Sequence, residues 1–505
     1  MMRERLVACL AVLVGAVLLL VPAAINRAPF IFYDTTHYLE VGQSILAPAH
    51  LRFAIFDRAA PAATPAAPAV ATPPAAAMST GPDQHESLAY IGGRSPYYSV
   101  VLVLLVGVIG LWGAVFVQAL IGSYLGWRVV ALGGGTQRLR AARLLALLAL
   151  LAIASTLPYF VGYVMPDIYA GYALVALALL MVPPALLPVP HRVALTAIAI
   201  FSVLAHATNL ALAVMAVVFG AVVLRWSGLR WRATGARLKW AGAALGLGLL
   251  GAPLFALACL LALGDTPQSP PYLVARVLAD GPGRVYLADV CGRTEAPAIC
   301  AFKDKRLDNH NDILWSTEAE RSVFQAADYA TKRQLKREEL RFVLGAVAHS
   351  PRLALDAAVH NAAAQLSTFA IAGEIGATKR SWETMLNAAI PSAGEQITDS
   401  RGFRGSYPFA VVDPVQIAGF VAGLAGLAVF LLRAENRAVW HHSGADDPDL
   451  MARRQLVGLV LALLAIFVLN AVMCGVLSGP TPRYQGRLTW LVPALALVLL
   501  GGRRR

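Results

Sequence analysis

The chain has 505 residues, 58% hydrophobic and 14% charged, with a mean hydropathy of +0.63; so few polar groups cannot wrap a water-soluble core of that size, and the composition is that of a polytopic membrane protein. Lys and Arg number 42 against 29 Asp and Glu, a formal net charge of +13. Because the basic residues gather in short segments between apolar stretches, they serve to orient helices in a bilayer, and nucleic-acid binding is excluded as their main use.

The first predicted helix, residues 6–24, follows Arg3 and Arg5 and ends in the small residues Ala23 and Ala24. Those features also fit a signal peptide, but cleavage would discard the helix that positions the polar cluster behind it, so we read it as retained. With Arg3 and Arg5 inside, residues 25–97 form an outer loop, periplasmic in a bacterial inner membrane. Residues 59–77, almost wholly Ala, Pro and Thr, are a flexible insertion in that loop.

The apolar run 98–132 is too long for one crossing of ordinary tilt. Arg138, Arg140 and Arg143 behind it belong in the cytoplasm, which requires an odd number of crossings. We therefore read 100–110 as an interfacial helix and 111–132 as the second crossing. Crossings at 144–157, 168–187, 193–205 and 209–224 alternate without conflict. They place the acid-free loop with Arg225, Arg230, Arg232, Arg237 and Lys239 in the cytoplasm. Residues 240–263 lead out to a hydrophilic segment, 264–414, in which Leu340, Val343, Leu344 and Val347 recur at helical spacing; a small, mainly helical outer domain is expected. Cys291 and Cys300 share this segment and are free to pair in an oxidising compartment. Helices at 415–432, 455–477 and 488–500 bring Arg503, Arg504 and Arg505 back inside. The expectation is an all-α protein of about ten transmembrane helices with both termini cytoplasmic: a module over 1–263, the outer domain 264–414, and the C-terminal helices 415–505.

In this topology the uncommon polar residues near helix ends fall on the outer side. Ionisable groups at membrane depth are costly and usually line a cavity, so a ring of them at one interface marks a site. Asp34 opens an amphipathic stretch after the first helix and serves equally as an N-cap or a reactive carboxylate. Arg94, before Ser95-Pro96-Tyr97-Tyr98, offers a guanidinium to a phosphate or to lipid headgroups. Asp167 follows Pro166 at a helix start, and His206 lies between two apolar helices. Arg483, Tyr484 and Arg487 precede the last helix from the outer side, against the positive-inside tendency, so they answer an anion. Glu86 and His85, near Arg94, offer ligands to a divalent metal, and Tyr272, Asp312 and Trp315 have side chains that suit either a sugar surface or ordinary packing. No P-loop, GxSxG or paired metal-binding cysteines occur.

An outer Asp after the first helix, a basic-Ser-Pro-Tyr turn before the next apolar run, a Pro-Asp helix start, a His between short helices and an Arg-Tyr before the last helix together resemble the GT-C membrane glycosyltransferases. The protein mannosyltransferase and lipid A aminoarabinose transferase group is the most similar in style. The resemblance covers about residues 1–225 and the last helix. It implies transfer of a sugar from a polyprenyl-phosphate donor to a lipid or glycan acceptor at the outer face, among membrane lipids. By the family pattern Asp34 is the catalytic base, and Asp167 the second catalytic carboxylate, which the resemblance assigns either to orienting the acceptor or, with Glu86 or His206, to holding a divalent metal. Arg94 and Arg483 bind the carrier phosphate, with Tyr97, His206, Tyr484 and Arg487 in the substrate site. Two positions depart from the pattern: Thr35 stands where many relatives have a second acid, and the turn reads Ser95-Pro96 instead of Pro-Pro. Two other classes stay open. A transporter or flippase would carry ionisable groups near mid-membrane and related halves, whereas an envelope assembly protein would use the outer arginines to hold lipid.

Overall fold

The computed structural model describes residues 2–51, 53–56, 93–375, 383–440 and 447–501. The insertion at 59–77, His85, Glu86 and the terminal arginines lie outside them. The described chain is helical; an isolated parallel bridge joins Phe30 to Tyr163, with Phe30 N–H donating to Gly162 at 2.8 Å and Val164 N–H to Phe30 at 2.9 Å.

Among the described residues five helices are long and apolar enough to cross a membrane: Pro96–Leu132, Ala207–Trp226, Trp231–Leu263, Phe409–Leu432 and Pro448–Leu477. A sixth is added if Tyr329–His349 and Pro351–Ser367, bent by 106°, count as one span. Ile168–Leu180 and Val189–Ala205 are apolar but shorter. Other predicted crossings fall on helices with basic first turns, Met2–Leu19 and Gln137–Ala154, and the last is divided at Trp490 into Pro482–Thr489 and Leu491–Gly501. Leu247, Leu250, Leu254, Leu257 and Leu261 form an exposed stripe along Trp231–Leu263. Such a stripe is unfavourable in water and at no cost against acyl chains, so the protein is membrane-embedded.

The long run Pro96–Leu132 is broken at Gly110, where the sequence reading divides it. Gly110 has φ +72° and ψ 179°, a conformation that side chains with a Cβ rarely adopt, and no atom crowds the position. Glycine is required there by the backbone and not by packing.

Two buried clusters divide the remainder. The larger runs through the membrane helices and takes in Ile371, Leu386, Ile390, Ile397 and Tyr407 from the hydrophilic segment. The smaller, built on Val274, Leu278, Leu287, Ile299, Phe302, Ile313, Leu335 and Phe342, forms a small helical domain of its own. There Cys291 and Cys300 are joined in a disulfide, their Cα atoms 5.4 Å apart. The apolar stripe that the sequence assigns to this core is displaced. Leu340 and Leu344 are 62% and 60% exposed, and the buried face of Tyr329–His349 is Leu335, Glu339, Phe342 and Ala346, the same spacing one register over.

Pro351–Ser367 packs lengthwise on Pro448–Leu477 with backbones in close approach: a Cβ on Gly475 would lie 2.5 Å from the Asn361 carbonyl oxygen. Gly475→Ala therefore forces the two helices apart and is expected to cost about 1–3 kcal/mol. Gly235→Ala, in Trp231–Leu263 with nothing within 4 Å of a new Cβ, should instead gain up to about 1 kcal/mol of helix propensity. Thermal unfolding of both variants in detergent checks the contrast.

Candidate functional site

The polar residues converge because several helices begin or break at one level. Tyr33–Leu46 starts immediately after the extended segment 28–32, which puts Asp34 in its first turn. Thr35, beside Asp34, is wholly buried and structural. Its Oγ1 donates to the Val164 carbonyl at 3.0 Å and accepts from Phe32 N–H at 3.1 Å. Arg94 precedes Ser95, whose hydroxyl accepts from Tyr98 N–H at 3.1 Å as the N-cap of Pro96–Leu132 and donates to the Leu204 carbonyl at 2.6 Å. Pro482 opens the helix that carries Arg483, Tyr484 and Arg487.

Asp34 is the meeting point. Arg94 Nη2 lies 2.5 Å from its Oδ1 and Arg483 Nη1 lies 3.2 Å from its Oδ2, with the three side chains only 12–16% exposed. Burial disfavours the charged carboxylate, but Arg94, then Arg483, outweigh it and hold the Asp34 carboxyl below its ordinary range. Aromatic faces enclose both cations. Arg94 lies 5.9 Å from the Tyr38 ring and 5.7 Å from Trp315, and Arg483 lies 4.7 Å from Phe32 and 5.2 Å from Tyr484. Trp315 and its neighbour Tyr272, ring centroids 6.3 Å apart, come from the small domain, and the Tyr272 hydroxyl faces Arg94.

Behind this clamp sits a second, less satisfied pair. Arg487 is fully buried; its Nη1 is 4.0 Å from Asp167 Oδ1 and its Nη2 donates to Asn470 at 3.4 Å. The Nε atoms of Arg94, Arg483 and Arg487 and the Nη1 of Arg487 are buried with no hydrogen-bond partner. Three guanidinium groups thus meet the carboxylates of Asp34 and Asp167 in a dry environment, with donors to spare. His206, N-cap of Ala207–Trp226, shares its Nδ1 with Thr208 at 2.8 Å and faces the same arginines.

The structure therefore brings together Asp34, Arg94, Asp167, His206, Arg483, Tyr484 and Arg487. Tyr97 is spent elsewhere: its hydroxyl donates to the Gly251 carbonyl at 2.7 Å, tying Pro96–Leu132 to Trp231–Leu263. Among the described residues no three His, Cys, Asp or Glu converge on an ion site. Asp167 looks at a guanidinium and His206 at three, which does not suit a divalent cation. Sequence reasoning missed Tyr38, which floors Arg94, and Glu374, a third carboxylate. Glu374 lies on Ala372–Ile375 and faces Arg483.

No family model matches the chain, no curated protein is similar to it, and no solved structure matches it. The fold of the described residues and the exposed apolar stripe define it as a helical, membrane-embedded protein with a charged site at the ends of its helices.

Removing Asp34 leaves two buried guanidinium groups uncompensated, so Asp34→Ala is expected to destabilise by about 3–5 kcal/mol. Its lowered folded value fixes the sign of the pH dependence. The stabilisation is complete above the ordinary carboxylate value of about 4 and is lost as pH falls through the lower folded value. Thermal midpoints in detergent should drop on acidification below about pH 4, and Asp34→Asn should flatten that limb.

Proposed function

We propose that the protein is a membrane glycosyltransferase that moves a sugar from a polyprenyl-phosphate donor to a lipid or glycan acceptor, on the periplasmic face of a bacterial inner membrane. The observation that carries this reading is the Arg94–Asp34–Arg483 clamp. Two guanidinium groups from helix starts far apart in the chain are aimed at one carboxylate, each with an unused buried Nε. An internal carboxylate of this kind holds an anion site preformed and gives way to a ligand that bonds the same donors better. A phosphodiester does so by bidentate contact.

The chemistry follows from charge. In the donor the bridging phosphate carries one negative charge; as the bond from the anomeric carbon to oxygen breaks, the leaving phosphate gains a second. Arg94 and Arg483, fixed by Asp34 and by aromatic faces, stabilise that developing charge without reorganisation, and Arg487 adds to the field from behind. Asp34, with both oxygens on guanidinium groups, acts as the positioning carboxylate of the pair. Trp315 and Tyr272 offer ring faces beside Arg94 on which the apolar face of a sugar can pack. The exposed leucine stripe gives the polyprenyl chain an apolar path to the site. Clustering of the ionisable residues at helix ends favours this reading over a transport pathway, which would place them within the spans.

Binding of undecaprenyl phosphate to purified protein in detergent tests the reading. Wild type should bind. Arg94→Ala and Arg483→Ala should each weaken binding by about tenfold or more, the loss of a charge-assisted contact worth about 1.5–3 kcal/mol. Tyr97→Phe should bind as wild type. A well-folded wild type that does not bind removes the proposal.

A further inference from the structure

Glycosyl transfer to a hydroxyl releases a proton, and the group that receives it must lie beside the departing phosphate and be uncommitted. Asp34 gives both oxygens to arginines, and Asp167, 2% exposed, faces Arg487. Glu374 is placed differently. Ala372–Ile375 is pinned at its start by Asp413 of Phe409–Leu432, whose carboxylate accepts from Ile371 N–H at 3.2 Å and Ala372 N–H at 3.4 Å. Gly373 then packs against Pro482, a Cβ there lying 3.9 Å from the proline ring, at the head of the helix that carries Arg483. The next residue, Glu374, donates its backbone N–H to the Ile371 carbonyl at 3.1 Å, while its partly buried side chain has no hydrogen bond or ion pair among the described residues.

We propose that Glu374 is the proton acceptor of the transfer. This rests on the transferase reading. The acceptor hydroxyl oxygen bonds the anomeric carbon while the bond from that carbon to the phosphate oxygen breaks. The electron pair of the broken bond leaves with the polyprenyl phosphate, and the hydroxyl proton passes to the Glu374 carboxylate.

The groups that face Glu374 are Arg483 from Pro482–Thr489, Asp167 ahead of Ile168–Leu180, Asp34 from Tyr33–Leu46, and Tyr163; Asp413 sits at the amides of its own helix. Burial raises its carboxyl, Arg483 opposes, and Asp167 and Asp34 raise it further, to about 7. A base of that strength is half ionised near neutral pH, where proton transfer is most effective.

Two measurements on the full chain decide the matter. The first is undecaprenyl phosphate binding as a function of pH. Above pH 7 the ionised Glu374 repels the ligand, so wild type should bind more weakly than Glu374→Gln by about fivefold or more at pH 8.5, and the two should converge at pH 5.5. Superimposable profiles would show that Glu374 does not face the phosphate and overturn the proposal. The second is transfer from synthetic polyprenyl-phosphate hexoses to extracted envelope lipids. Glu374→Gln should lower kcat by about 10²–10⁴ and abolish the rise in rate through pH 7, with Glu374→Asp between the two. Transfer by Glu374→Gln at the wild-type rate overturns the proposal and leaves the transferase reading intact. Absence of undecaprenyl phosphate binding by wild type removes both.

Discussion

A carboxylate that keeps two guanidinium groups in place, away from bulk water, is the constraint around which the polar end of this molecule is arranged. Each of the three charges would be expensive alone in so dry a position; together they are tolerable because each satisfies another. The compensation is incomplete by construction. Arg94 and Arg483 each use one side of the guanidinium plane on Asp34 and keep a buried Nε unpaired, and Arg487 stands 4.0 Å from Asp167 with two nitrogens unpaired. A purely structural ion-pair network closes such gaps. Here they stand open, as the proposed anion site requires.

The helices reach this arrangement through their ends. Ser95, Pro166 and Pro482 stand where helices begin, with Arg94, Asp167 and Arg483 beside them, and His206 itself caps another helix start. A helix start suits this task, since its free N–H groups and dipole favour anions and a proline fixes the direction of entry. The last helices are bound into place by neutral contacts. Thr156 donates to the Gly486 carbonyl at 2.7 Å, and Asn470 donates to Gln485 at 2.7 Å and to the Tyr484 carbonyl at 2.8 Å. Arg483 and Arg487 are thereby aimed by a framework that carries no charge of its own.

Much of this was legible in the sequence because it rests on local signals. Proline and aspartate at the edges of apolar runs mark where helices open, and a run too long for one crossing foretells a break, which falls at Gly110. What the sequence concealed depends on register and on distant packing. Leu340 and Leu344 have the spacing of a core stripe but are exposed, because Phe342 and Ala346 outcompete them for the same neighbours. Tyr97 resembles a site residue and is drawn instead to a carbonyl on another helix. Glu374 sits in a segment with no motif, and only the packing of Gly373 against Pro482 reveals which cation it meets.

The small domain is more than a cover, because one short helix touches Arg94 and the turn that leads to Arg483. Tyr272–Ala279 begins with Tyr272, which faces Arg94, and carries Arg276 one turn later. Arg276 pairs with Asp280 and contacts His310 Nδ1 at 3.1 Å, and Asp280 accepts from Asn361 at 3.0 Å. Arg276 also fills the space over Gly479, whose φ of +100° and 2.6 Å clearance for any Cβ admit no side chain. Gly479 closes the turn that leads to Arg483. One turn of helix thus joins Tyr272 beside Arg94 to Arg276 over the turn before Arg483. The separation of Arg94 from Arg483, on which the proposed phosphate recognition would depend, is influenced by how this domain seats on the membrane helices as well as by the helices themselves.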